Sequence, residues 1–150
     1  MVLVDTSVWI RFLSNRAPYA ADLDELLSTG DVVGHDFVLG ELLIGDKGGR
    51  QQLLADYKLM RQSPLVPHLE VVAFVRERRL HGRGVAWIDI HLLASALVSS
   101  VRLGTADPRL ATLARSSTSA TTERRGVAVR AGLPDRRTTS KSRRARRGPP

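Results

Sequence analysis

Four acidic residues of this 150-residue chain stand where carboxylates can do chemistry: Asp5, Glu41, Asp89 and Asp107. Asp5 closes the apolar run Val2-Leu3-Val4 and opens the turn Asp5-Thr6-Ser7. Asp107 follows Val101-Arg102-Leu103-Gly104 in the turn Thr105-Ala106-Asp107-Pro108. Each of these two also suits a plain helix N-cap. Glu41 and Asp89 are harder to assign to the surface. At helical offsets Glu41 meets Phe37, Val38, Ile44 and Gly45, and Asp89 meets Val85, Ala86, Leu92 and Leu93. A carboxylate on an apolar face is costly unless it is paired, protonated or bound to a cation. No basic residue lies at a helical offset from either.

Carboxylates brought within ~4–5 Å of one another repel by about 3–4 kcal/mol per pair at an effective dielectric near 20. A divalent cation reverses that sign. The chain has no cysteine, so an oxygen-only ligand set favours Mg²⁺ or Mn²⁺ over zinc. Such an ion lowers the pKa of a bound water and holds a phosphodiester for in-line attack, while one carboxylate accepts the water's proton. His35, His68, His81 and His91 lack metal-ligand spacing and are expected in packing or surface roles. Of these His35 stands out, because it precedes the helix of Glu41. Trp9, Phe12, Leu13 and Trp87 are expected in the core or at a dimer surface.

The elements that must position the acids follow from periodicity and breakers. Val2–Val4, Asp31–Gly34 and Val101–Gly104 read as short strands, and Val127–Val129 is a candidate for the last. Helices are expected over Val8–Leu13, Ala21–Ser28, Phe37–Ile44, Gln51–Gln62, Pro67–His81 and Ala86–Ser99, with another from Pro108 to about Ala114. In the Pro67–His81 helix, Leu69, Val72, Ala73 and Leu80 are the expected core residues. Short strands alternating with helices predict an α/β fold with a central parallel sheet. Ligands of such sheets bind beyond the carboxyl ends of the strands, which puts Asp5 and Asp107 on one edge.

The order and context of these residues resemble the PIN-domain nucleases. The resemblance is carried by Asp5-Thr6-Ser7 after a strand, the helical Glu in Val38-Leu39-Gly40-Glu41-Leu42, the Asp opening a helix in Trp87-Ile88-Asp89-Ile90-His91-Leu92-Leu93-Ala94, and Thr105-Ala106-Asp107 after a strand. It covers about residues 1–114. The small size resembles the VapC-type toxins of bacterial toxin–antitoxin pairs. The resemblance implies a PIN-like three-layer sandwich, with a central parallel sheet flanked by helices, over residues 1–130. It also implies an Mg²⁺- or Mn²⁺-dependent endoribonuclease acting on structured RNA such as tRNA or rRNA, a homodimer, and inhibition by a cognate VapB-type antitoxin. Asp5, Glu41, Asp89 and Asp107 take the places of the family's catalytic and metal-binding acids, with Thr6 and Thr105 as supporting residues.

Composition sets the remaining bounds. No apolar run approaches the ~18 residues of a membrane span, and the N-terminus lacks the pattern of a signal peptide, so a cytoplasmic protein is expected. Net charge is +8, but residues 1–114 carry 12 Lys and Arg against 13 Asp and Glu, and residues 115–150 carry 11 against 2. The basic excess therefore belongs to the end of the chain. Residues 131–150 read as a basic, disordered tail that is poor in aliphatic side chains. Such a tail either binds RNA phosphates in a salt-dependent way or is an abnormal terminus with no evolved role. Two other functions remain open to the sequence. One is an α/β phosphatase or phosphotransferase with Asp5 as nucleophile, although haloacid-dehalogenase-like enzymes need a second Asp where Ser7 stands. The other is a non-catalytic RNA- or protein-binding module.

Overall fold

The computed structural model describes residues 1–117; Val127–Val129 and the basic tail lie outside the described residues. Its elements run β1 (Val2–Val4), α1 (Thr6–Leu13), α2 (Tyr19–Ser28), β2 (Val32–Val33), α3 (Asp36–Ile44), α4 (Gln51–Leu59), α5 (His68–Arg78), α6 (Trp87–Val98) and β3 (Arg102–Gly104). A further helix, α7, begins at residue 108 and runs to the end of the described residues at 117.

The three strands form a parallel sheet in the order β2-β1-β3. β1 is the middle strand, and all three of its residues are buried, as a strand covered on both faces requires. Around it pack Trp9, Leu23, Val38, Tyr57 and Leu92, drawn from five helices. A second apolar cluster joins Val71 of α5, Ile90 and Leu93 of α6, and Leu113 of α7. The two clusters meet at α6, where every residue from Ile90 to Ala96 is buried; a helix apolar on all sides belongs in the centre. Helix ends follow local chemistry: α1, α2, α5 and α6 are followed by left-handed residues at Asn15, Gly30, Arg79 and Ser100.

Three expectations are corrected. Helix α2 starts at Tyr19 rather than Ala21, and α4 stops at Leu59 rather than Gln62. The early stop has a tertiary cause. Arg61 O accepts from Gly34 N at 2.8 Å and Gly34 O accepts from Ser63 N at 2.9 Å, so the chain after α4 extends to pair beside β2. The third correction concerns α5, whose buried residue is Val71, with Phe74 and Val75 partly buried beside it. Leu69 is 78% exposed, Ala73 is exposed and Val72 is half-buried; only Leu80, just past the helix, lies in the core as expected.

Close approach of β1 and β3 depends on Gly104. A Cβ there would stand 2.9 Å from Val2 Cγ1, and Val2 is β-branched and buried, with little room to rotate. Gly104→Ala should cost about 1–3 kcal/mol through overpacking, read as a lower urea midpoint. Because Gly104 O accepts from Asp5 N at 2.8 Å, the displacement reaches the residue at the head of the site.

Candidate active site

β1 and β3 are parallel neighbours, so the turns that follow them emerge side by side at one edge of the sheet. Asp5 leaves the first turn and Asp107 the second. Asp5 is the most buried of the four acids, at 6% exposure. It occupies the N-cap position of α1, yet its side chain makes no capping hydrogen bond. Instead Oδ2 accepts from Ser7 Oγ at 2.5 Å and from Thr105 Oγ1 at 2.8 Å. A buried carboxylate that forgoes the cap and is oriented by two hydroxyls is placed for something other than starting a helix. Asp107 does cap: Oδ1 accepts from Arg109 N at 2.7 Å and Leu110 N at 3.2 Å. Its second oxygen is not used in that cap.

Glu41 lies one turn from the end of α3 and reaches back to α1, where Thr6 Oγ1 donates to Glu41 Oε2. The wholly apolar surround expected from sequence does not hold, because Ile44 is 88% exposed and Glu41 itself is half-buried. Asp89 sits in the first turn of α6, where Oδ2 accepts from Ala86 N at 2.7 Å. Its carboxyl is pushed above the usual carboxylate range, first by burial. The Ala86 hydrogen bond opposes that shift, while the negative charges of Asp5, Asp107 and Glu41 add to it. Asp5 and Asp107 leave neighbouring strand ends, Thr6 of α1 holds Glu41, and the charges of all three reach Asp89, so four separate segments meet at one edge of the sheet.

Ser7 was not singled out in the sequence as a site residue. Besides donating to Asp5, its Oγ accepts from Ala106 N at 3.0 Å. Thr105 Oγ1 in turn accepts from Asp107 N at 3.0 Å. The two hydroxyls thus tie the β1–α1 turn to the β3–α7 turn across about a hundred residues of chain. The hydroxyl was visible in Asp5-Thr6-Ser7, but its partner at residue 106 is too distant in the chain for local reading to find. Ser7→Ala should lower any activity that depends on Asp5 about 10- to 100-fold, as loss of an orienting hydrogen bond does, with a stability loss of about 1 kcal/mol. Single-turnover rates and a melting curve on the same sample separate the two effects.

Of the histidines, His35 and His91 are buried and His68 and His81 exposed. His35 is fully buried as the N-cap of α3: Nδ1 accepts from Phe37 N at 3.1 Å, and Nε2 lies 3.0 Å from Ser95 Oγ. Burial lowers its pKa to about 4, with Asp36 opposing the shift and His91 adding to it. Tyr57 donates to His35 O and accepts from His35 N, and burial raises its pKa to about 12. Trp9 is in the core, and Trp87 is 43% exposed with its ring against His68 and His91.

Hydrogen bonds to the four carboxylates come from hydroxyls and backbone amides. Among the described residues, no three Asp, Glu or His side chains stand close enough to hold an ion directly. Mg²⁺ does not require that, since it keeps several waters and is held through one or two carboxylates. A cluster of hard oxygen donors, in which one carboxyl is raised partly by its neighbours' charge, fits such a cation.

Comparison with known proteins agrees with this geometry. Residues 2–116 match the family model described as PIN domain. Ribonuclease VapC32 of Mycobacterium tuberculosis is 45% identical over 111 residues, covering 73% of this chain and 87% of that protein, in both strain CDC 1551 / Oshkosh and strain ATCC 25618 / H37Rv. The family match spans all four carboxylate segments, and the chain belongs to the PIN-domain family as a VapC-type ribonuclease.

Proposed function

We propose that the protein is an Mg²⁺- or Mn²⁺-dependent endoribonuclease toxin that cleaves structured RNA, tRNA or rRNA, and is neutralised by a VapB-type antitoxin. The observation that carries this reading is the hydroxyl network at the carboxyl edge of the sheet, where Ser7 and Thr105 hold Asp5 and Thr6 holds Glu41, with Asp89 and Asp107 near enough for their charges to interact. A bound divalent ion would supply Lewis acidity and an activated water. The chain's own residues do the positioning. Asp5, Glu41, Asp89 and Asp107 would hold the ion directly or through water. Ser7 and Thr105 fix the orientation of Asp5, and Thr6 fixes that of Glu41. A carboxylate of the cluster takes the proton released as water attacks the phosphodiester.

The unit that acts is residues 1–130, with residues 131–150 as a basic extension, and the working form is a cytoplasmic homodimer. No helix among the described residues is long and apolar enough to cross a membrane. The decisive experiment incubates a panel of structured RNAs with wild type and Asp5→Asn in Mg²⁺ or Mn²⁺, with and without chelator. Cleavage by wild type alone, lost on chelation, is the expected result. Equal survival of every RNA with both proteins would overturn the reading. Mapping new RNA 5′ ends in cells after brief induction, with Asp89→Asn as control, then identifies the substrate.

A further inference from the structure

A cleft of about 320 Å³ adjoins the carboxylate cluster and shares Thr105 and Asp107 with it. Its far walls are Tyr19 at the start of α2, and Thr112 and Arg115 on α7. The volume lies at the lower end of the range for small-ligand pockets, a size suited to a single nucleotide. Its chemistry is mixed in the way a nucleotide needs. Arg11 lays its guanidinium over the Tyr19 ring, 5.2 Å from the centroid, and donates from Nη1 to Ser7 O at 2.8 Å. The aromatic wall is thereby fastened to the same turn that carries Asp5. On the opposite wall Arg115 is exposed, with Nη2 donating to Thr112 Oγ1 at 3.1 Å.

Charge adds to the case. A cluster of four carboxylates repels a polyanion, and residues 1–114 carry no basic excess. Guanidinium groups beside the cluster are therefore the local means of holding a phosphate within reach. The larger cleft between α1 and α2, lined by Phe12, Asn15, Ala17, Ala20, Ala21 and Asp24, has a carboxylate and no cation, which disfavours an anionic ligand there.

We propose that the cleft between Tyr19 and α7 is a ribonucleotide subsite, seating a nucleotide next to the scissile phosphate, with Tyr19 against its base or sugar and Arg115 on its phosphate. The proposal rests on the ribonuclease function above and adds residues that set affinity rather than chemistry. Stacking of a base on an aromatic ring is sequence-tolerant, so Tyr19 contributes binding without selecting one base.

The test measures fluorescence anisotropy of a labelled, unstructured eight-nucleotide RNA with the full chain in Ca²⁺, with RNA length checked on a gel. Cleavage of the same RNA is followed separately in Mg²⁺ and Mn²⁺. Tyr19→Ala should raise Kd at least about fivefold, and Tyr19→Phe should stay within about twofold of wild type. Arg115→Ala should raise Kd and reduce the slope of log Kd against log salt by about 0.7, the loss of one phosphate contact on a single strand; Arg115→Lys should keep that slope. Circular dichroism confirms folding, and Tyr19→Leu replaces the alanine variant if that one fails to fold. Unchanged Kd in the folded Tyr19 and Arg115 variants, or no binding by wild type, overturns the subsite. A wild type that binds the short RNA through these residues yet leaves the panel of structured RNAs intact in Mg²⁺ and Mn²⁺ would instead remove the ribonuclease function and leave the subsite standing.

Discussion

Asp89→Asn should stabilise the metal-free protein against heat and, in Mg²⁺, reduce RNA cleavage about 100-fold or more. The two effects share a cause. Burial, and then the charges of Asp5, Asp107 and Glu41, raise the Asp89 carboxyl above its ordinary range. A raised carboxyl binds its proton more tightly when folded than when unfolded. Its contribution to stability is therefore present at low pH and lost as pH rises through the raised value. Asn removes the charge and keeps an oxygen to accept from Ala86 N, now held at 2.7 Å by Asp89. Under the proposed function a bound cation makes the same charge an asset. Losing a ligand from a site that stabilises the transition state by several kcal/mol, at 1.36 kcal/mol per tenfold in rate, gives the expected fall in activity. Melting in EDTA and cleavage in Mg²⁺ read the two signs independently. A lower melting temperature in EDTA combined with unaltered cleavage would falsify the view of Asp89 as a charge held in waiting.

Acidification should loosen the fold through His35. Its pKa falls from 6.5 unfolded to about 4 in the fully buried site. Protonation would turn Nδ1 into a donor facing the amide of Phe37, which is itself a donor. The sign follows from linkage. Between pH 6.5 and pH 4 the unfolded chain takes up the proton and the folded one does not, so stability present above the unfolded pKa is lost as pH falls. At 1.36 kcal/mol per unit the full window is worth about 3 kcal/mol. Asp89 acts in the opposite direction at the acid end and His91, whose pKa burial also lowers, acts in the same direction, so the difference between wild type and a His35 variant from pH 6.5 to 5 isolates His35. There the wild type should lose about 2 kcal/mol by urea unfolding. His35→Asn keeps a capping side chain but strands Ser95 Oγ, costing about 1–3 kcal/mol at neutral pH, and should flatten the pH dependence. The same slope in both proteins would show that another group titrates.

What the sequence disclosed, and what it hid, divides along the range of the interactions. Strand β1 was legible because Val2-Leu3-Val4 is apolar throughout and ends at Asp5-Thr6-Ser7, a local pattern with a local meaning. The order of the four acids was legible for the same reason. The faces of the helices were not. α3 carries Phe37, Val38, Leu39, Leu42, Leu43 and Ile44 around nearly its whole circumference, so periodicity could not reveal that Val38 and Leu42 turn inward while Ile44 faces out. α5 likewise offers apolar residues on several sides, and only packing against α6 and α7 selects Val71. The physical weight shifted accordingly. Glu41 and Asp89 looked the more anomalous acids, yet Asp5 is the most buried, held by a hydroxyl that arrives from residue 105. No reading of neighbours in the chain contains that contact.

The placement of β1 between β2 and β3 bears on how the protein is made. β1 precedes both of its neighbours in the chain, and one of them is β3, at residues 102–104. Asp5 leaves the ribosome early, then waits for Thr105, one hundred residues later, to supply its second hydroxyl. Asp107 comes two residues after that. Every shorter nascent chain therefore carries an incomplete cluster, with Asp5 unanchored and one acid missing. Under the function proposed above, activity should appear only once residues 105–107 have been made and β3 has paired with β1.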